Sequence, residues 1–269
     1  MRKLNLQKQW RYFLLALGFF TRIPVPNLVD FQESELNHSA KYFPLIGIIV
    51  GLIGAGIYAL SVQFLPQTIA VLISMASTIY LTGAFHEDGL ADSADGLGGG
   101  WQREQILTIM QDSRLGTYGA AALFLALFVK FQLLNSLNSY FIPFALVAGH
   151  ALSRLAAVYI MANLNYTKPE GKAKPLATQI SVVDLVLANV FGLVPFLFIL
   201  GLLVMNNHAL IISVKFVLMV LIPVFLSWFW WRHKIHKWLG GYTGDTLGAM
   251  QQITELAFYF GVVVWSYNV

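Results

Sequence analysis

Long apolar runs separated by short polar joints set the pattern of this chain. Seven stretches are long enough to cross a bilayer as helices of about twenty residues, near 42–64, 67–85, 118–137, 140–161, 184–205, 209–231 and 249–268. Helix is the expected form, because backbone facing lipid must satisfy its own hydrogen bonds. A shorter apolar stretch, Tyr12 to Phe20, follows Arg2, Lys3, Lys8 and Arg11 and leads into Thr21-Arg22-Ile23-Pro24-Val25-Pro26. It lacks a small-residue cleavage site, so it is not read as a signal peptide. It is too short to span, and Trp10 and Tyr12 at one end mark an interfacial or re-entrant helix within 1–30. The fold class expected is therefore an all-α integral membrane protein, one polytopic domain over 1–269, with about seven transmembrane helices and an amino-terminal interfacial or re-entrant helix.

Composition agrees: 57% of the 269 residues are hydrophobic and 11% are charged, against roughly 25% charged in soluble domains. The absence of Cys removes disulfides and thiolate zinc from consideration. The net charge of +4 sits in short clusters between apolar runs, which suits anionic headgroups and phosphorylated substrates and gives no continuous face for nucleic acid. Those clusters also orient the chain. The joints near 65–67, 137–139 and 206–208 carry no Lys or Arg, whereas the amino-terminal segment and the joints bearing Arg103 and Arg114, Lys168, Lys172 and Lys174, and Arg232, Lys234 and Lys237 are basic. The basic joints are expected on the cytoplasmic side of the cytoplasmic (inner) membrane, with the carboxyl terminus outside. The joint 163–180 is expected to be a mobile basic loop.

Candidate chemistry concentrates in one place. Of thirteen Asp and Glu residues, six fall between Glu87 and Asp112, most of them in His86-Glu87-Asp88-Gly89-Leu90-Ala91-Asp92-Ser93-Ala94-Asp95-Gly96. As a helix continuing the second span, this stretch puts Asp88, Asp92 and Asp95 at i, i+4 and i+7 on one face. Glu87 then points about 100° away from Asp88. Carboxylates crowded beside lipid call for a cation or protons, and hard oxygen donors favour Mg²⁺. Asp88, Asp92, Asp95 and Asp112 are the expected metal ligands, with Glu87 a further ligand or a base, and 87–117 the expected catalytic loop at the cytoplasmic face. Gly96, Gly98, Gly99 and Gly100 leave backbone bare for a phosphate. A second motif loop, 232–248, holds Gly240-Gly241-Tyr242-Thr243-Gly244-Asp245-Thr246-Leu247-Gly248. Its glycines, lone Asp and two hydroxyls either contact a phosphate or form a turn in which Asp245 or Thr246 caps the last helix. Arg154 is either a functional residue, since an Arg in a span is rarely idle, or a snorkelling one; His150 is read as a packing residue, and His86 as base, ligand or bystander.

Two families share parts of this pattern. Asp92-Ser93-Ala94-Asp95-Gly96 is similar to the start of the CDP-alcohol phosphotransferase signature, but Gly99-Gly100 stands where that family has Ala-Arg, and its closing Asp pair is absent. A cation- or proton-coupled transporter is disfavoured, because the acids crowd at one surface and transport sites lie near the midplane. The whole chain resembles the cobalamin synthase family, the adenosylcobinamide-GDP ribazoletransferases. The resemblance rests on Phe20-Thr21-Arg22-Ile23-Pro24-Val25-Pro26, Phe43-Pro44-Leu45-Ile46-Gly47, the run His86 to Gly100, Met110-Gln111-Asp112-Ser113-Arg114-Leu115-Gly116, and Gly244-Asp245-Thr246-Leu247-Gly248-Ala249. It implies a multi-span, Mg²⁺-dependent enzyme that joins adenosylcobinamide-GDP to α-ribazole or its 5′-phosphate and releases GMP. Under that resemblance Glu87, Asp92 and Asp95 are the catalytic set, and Arg103, Arg114, Lys172, Lys174 and Asp245 contact phosphate or substrate. A homo-oligomer is left open by the sequence.

Overall fold

A computed structural model describes residues 6–26, 33–167, 180–205 and 210–268. The described residues are helical, in the order α1 (Leu6–Phe20), α2 (Glu33–Ser39), a 3₁₀ turn (Ala40–Tyr42), α3 (Phe43–Ser61), α4 (Gln67–Thr82), α5 (Phe85–Gly99), α6 (Arg103–Ile109), α7 (Thr117–Asn135), α8 (Ile142–Asn163), α9 (Val182–Met205), α10 (Leu210–Leu239) and α11 (Gly244–Tyr267). No strand occurs among them. Tyr166 and Tyr242 form an isolated bridge between two loops.

Six of these helices are long and apolar enough to span, and a seventh span arises if α4 and α5 are taken as one broken element. Each expected span has its helix. Where α4 and α5 join, the expectation needs correction, because the acidic stretch does not continue the second span but turns 85° from it. The cause is local: Gly83 and Ala84 both have left-handed backbone, φ +66 and +58. Their amides return to Tyr80 O at 3.2 Å and Ile79 O at 2.9 Å, which is how a helix closes its last turn. Alone, α4 with its 16 residues is about 24 Å long, short of the roughly 30 Å of hydrocarbon.

The segment after α1 braces this elbow. Arg22 donates its backbone amide to Leu81 O at 2.8 Å and lays its guanidinium 5.2 Å from the centre of the Tyr80 ring. α1 itself is a short helix of 15 residues with its inner side buried through Leu14, Leu15, Leu17 and Phe20.

α8 is the most enclosed span and α10 the least. Close approach is bought with glycine. A Cβ on Gly47 would lie 2.2 Å from the His150 carbonyl oxygen, and one on Gly51 2.6 Å from the Val147 Cα, so α3 and α8 touch backbone to backbone. α11 packs against α5, α7, α8 and α10. The segments expected as motif loops are largely helix. α5 and α6 occupy most of 87–117, and α10 runs on through Leu239, because Trp231, Ile235 and Leu239 form a buried stripe at i, i+4 and i+8. Only Gly240–Thr243 remain as the turn between α10 and α11.

Candidate active site

α5 packs between α7 and α11. Gly89 sits between Asp88 and Asp92, and a Cβ there would come within 2.7 Å of the Asp245 carbonyl oxygen and 3.2 Å of the Gly248 Cα. The α5 acids and the start of α11 are therefore brought together. Asp88 is exposed and Asp92 half-buried, one turn apart on one face, while Glu87 is buried, in keeping with the 100° offset expected from helical spacing.

Glu87 has a different setting from the aspartates. Its Oε1 accepts from Gln252 Nε2 of α11 at 3.0 Å, and its Oε2 is buried with no hydrogen-bond partner in the structure. A ligand role shared with Asp88 and Asp92 is not what this orientation offers. Asp95 spends both oxygens on backbone: Gly116 N donates to Oδ2 and Gly119 N to Oδ1, each at 2.8 Å. It thereby seats an anion on the first turn of α7, where the helix dipole favours one. A Cβ on Gly116 or Gly119 would stand 2.3 Å from that carboxylate.

Asp112 is engaged by Arg114, whose Nη2 donates at 2.6 Å and Nε at 3.0 Å. The guanidinium holds the carboxyl down to about 2. Arg103 has become a brace. Its Nε donates to Leu239 O at 3.0 Å and its Nη2 to Thr167 O at 2.6 Å, tying α6 to the end of α10. Lys172 and Lys174 lie outside the described residues.

Neither option weighed for the cap of α11 is what forms. Thr243 is the N-cap: its Oγ1 accepts from Thr246 N at 3.3 Å and its amide donates to Thr246 Oγ1 at 2.8 Å, a reciprocal capping box. Asp245 sits in the first turn and accepts from Thr243 Oγ1 at 3.3 Å. Its charge, second to burial, helps push Tyr166 up to about 12.

Among the described residues, no three His, Asp or Glu side chains form a group that could hold a metal ion. Mg²⁺ rarely needs such a cage, since it keeps several waters and takes one or two carboxylates together with substrate phosphates. Asp88 and Asp92 fit that demand in donor type, spacing and exposure.

Behind the acids lies a polar cluster that sequence reading did not assemble. Lys130 of α7 meets Glu255 of α11 at 2.6 Å. Tyr259 Oη donates to the same carboxylate at 2.9 Å, and Gln251 Nε2 donates to it at 2.5 Å and to Ser153 Oγ at 3.0 Å. Gln252 Nε2 links Gln251 Oε1 at 2.9 Å to Glu87. Arg154 does not snorkel: it is 2% exposed, donates from Nη1 to the His150 carbonyl at 3.0 Å and from Nη2 to His86 Nε2 at 3.1 Å. Arginine can only donate, so in this contact His86 Nε2 is the acceptor. The available signal was a lone Lys in the third expected span and a lone Glu in the seventh, charges that inside a membrane are seldom idle.

Comparison with known proteins is consistent along the whole chain. The family model described as cobalamin-5-phosphate synthase matches residues 12–263. The chain is 44% identical over 263 residues to the adenosylcobinamide-GDP ribazoletransferase of Ralstonia pickettii (strain 12J), covering 97% of this chain and 98% of that protein. The proteins of the same name from Shewanella piezotolerans and Shewanella amazonensis are 41% and 44% identical, covering 96% and 97% of this chain and 96% and 98% of theirs. No solved structure matches it. With the match running from α1 into α11, the chain belongs to the cobalamin-5-phosphate synthase family.

Proposed function

We propose that this protein joins adenosylcobinamide-GDP to α-ribazole or its 5′-phosphate, releasing GMP and closing the lower loop of the corrinoid. The observation that carries the reading is the near-complete match to ribazoletransferases. Exposed Asp88 and half-buried Asp92, one turn apart on α5, are carboxylates of the kind such a transfer uses. A ribazole hydroxyl attacks the phosphorus nearer the cobinamide. A new phosphorus–oxygen bond forms, the pyrophosphate bridge breaks, GMP departs with the bridging oxygen, and the hydroxyl proton passes to a carboxylate at the site.

Asp88 and Asp92 are the residues that would hold Mg²⁺, which when bound neutralises charge developing on the departing phosphate. Arg114 has an 88% exposed side chain and can follow a phosphate without breaking a buried contact. Lys172 and Lys174 are the further cations offered for that role. Arg103, held by two carbonyls, is assigned to architecture, and buried Glu87 to anchoring. The basic joints orient the site toward the cytoplasm of a cell whose inner membrane holds the protein.

Purified protein in detergent, supplied with adenosylcobinamide-GDP, α-ribazole and Mg²⁺, should form a corrinoid product and GMP in equal amounts. Absence of GMP with every divalent metal tried would sink the proposal. A single cysteine at position 103 in this Cys-free chain should react only with reagent applied from the cytoplasmic side.

A further inference from the structure

The first turn of α5 is held by two adjacent residues to two different spans. His86 is fixed by Arg154 of α8 at 3.1 Å, and Glu87 by Gln252 of α11 at 3.0 Å. Gln252 is in turn seated by Gln251, which is seated by Glu255, itself locked to Lys130 of α7. His86, Glu87, Lys130, His150, Arg154, Gln251, Gln252 and Glu255 are all buried. His86 and Glu87 sit immediately before Asp88, on the side of α5 turned away from the Asp88–Asp92 face.

The elbow that precedes them interrupts the helix at left-handed Gly83 and Ala84, so α5 does not inherit its rotation from α4 through a continuous helical ladder. Packing of Gly89 on the start of α11 sets part of that rotation. At its far end α5 has the Asp95 attachment to Gly116 and Gly119. At its near end the hydrogen bonds of His86 and Glu87 to neighbouring spans go to the polar cluster. An ionic group inside a membrane protein is costly to keep, and one attached on both sides of the first turn of an acidic helix has a mechanical use.

We infer that Gln252 and Arg154, seated by the Lys130–Glu255 pair, are positioning residues that fix the rotation of α5 and so the direction in which Asp88 and Asp92 are presented. The inference rests on the proposed transferase reading for its consequence in turnover, but not for the geometry it asserts. Misplacement of a reacting group by about 1 Å costs on the order of 100-fold in rate, so a loosened α5 should lose turnover without losing affinity for substrate.

The test uses the full-length protein in detergent. Gln252→Leu leaves the Lys130–Glu255 pair intact and is the primary variant. Arg154→Lys, which keeps the charge but loses the fork that spans His86 and His150, is the second in case Gln252→Leu fails to insert. Asp88→Cys at an exposed position and Ala91→Cys at a buried one report the rotation through their alkylation rates. With no other change, Asp88→Cys should react fast and Ala91→Cys slowly. In either positioning variant that contrast should collapse, while in the cysteine-free background kcat falls about 100-fold and KM stays within a few-fold. An unchanged labelling contrast overturns the inference, and so does a KM that rises in step with the loss of kcat. If the parent chain itself makes no GMP, the functional reading fails, yet the labelling contrast still decides the positioning one.

Discussion

Lys130 of α7 and Glu255 of α11 meet at 2.6 Å with side chains 3% and 1% exposed, an ion pair shut away from water. Removing one partner from such a pair leaves an uncompensated buried charge, which costs about 3–5 kcal/mol. Lys130→Met is therefore expected to lower the thermal unfolding midpoint sharply, and Lys130→Met combined with Glu255→Gln to recover part of the loss. A double variant as unstable as the sum of the two single ones would show that the residues do not act on each other.

Asp92 and Asp95 stand three residues apart in an acidic run, and the structure separates their roles. Asp95→Asn turns an amide group toward two backbone donors that a carboxylate now satisfies, and should cost about 2 kcal/mol. Asp92→Asn should leave the unfolding midpoint in place and remove turnover. Calorimetry of both variants beside the GMP assay checks this, and the prediction fails if Asp95→Asn is as stable as the parent chain.

Ala84 holds φ at +58, a region that costs an L residue about 1 kcal/mol and glycine nothing. Ala84→Gly should raise the midpoint by a few degrees. At Gly83, also left-handed, an added Cβ would stand 2.9 Å from Arg22 Nε, so Gly83→Ala should lower it. Opposite signs at neighbouring positions are the expected signature of the elbow.

Hydrogen bonds from the Arg114 side chain, then from its backbone, hold the Asp112 carboxyl at about 2, below its ordinary value. Stability gained this way is complete above the unfolded carboxyl's value and is lost only as pH falls through about 2. Between pH 5 and 9 the pair therefore adds no pH dependence, and the midpoint-versus-pH curve of Arg114→Gln should run parallel to that of the parent chain. A difference in slope within that window would refute the assignment.

Helical spacing alone gave the shared face of Asp88, Asp92 and Asp95 and the offset of Glu87 from it, because those relationships lie within one helix. The seven apolar runs were equally open to reading, since bilayer thickness fixes their length. The elbow was hidden, as nothing in Thr82-Gly83-Ala84-Phe85 distinguishes a left-handed alanine from a helical one. Asp95 looked like its neighbours until α7 arrived to occupy both oxygens. The pairing of Lys130 with Glu255 joins residues from distant parts of the chain, so each was legible as an oddity and neither as a partner. Arg103 drew attention as a cation among acids, but its carbonyl acceptors, Leu239 O and Thr167 O, carry no signature in sequence.

The contact of Gly89 with Gly248 also bears on how the molecule is made. A chain synthesised from its amino terminus brings out α5 long before α11, against whose Asp245 and Gly248 backbone Gly89 packs. The berth of α5 is built by the last helix described. Assembly of the chemistry is thus delayed until nearly all the spans are in place, and an incomplete chain would carry the acids without a place to put them.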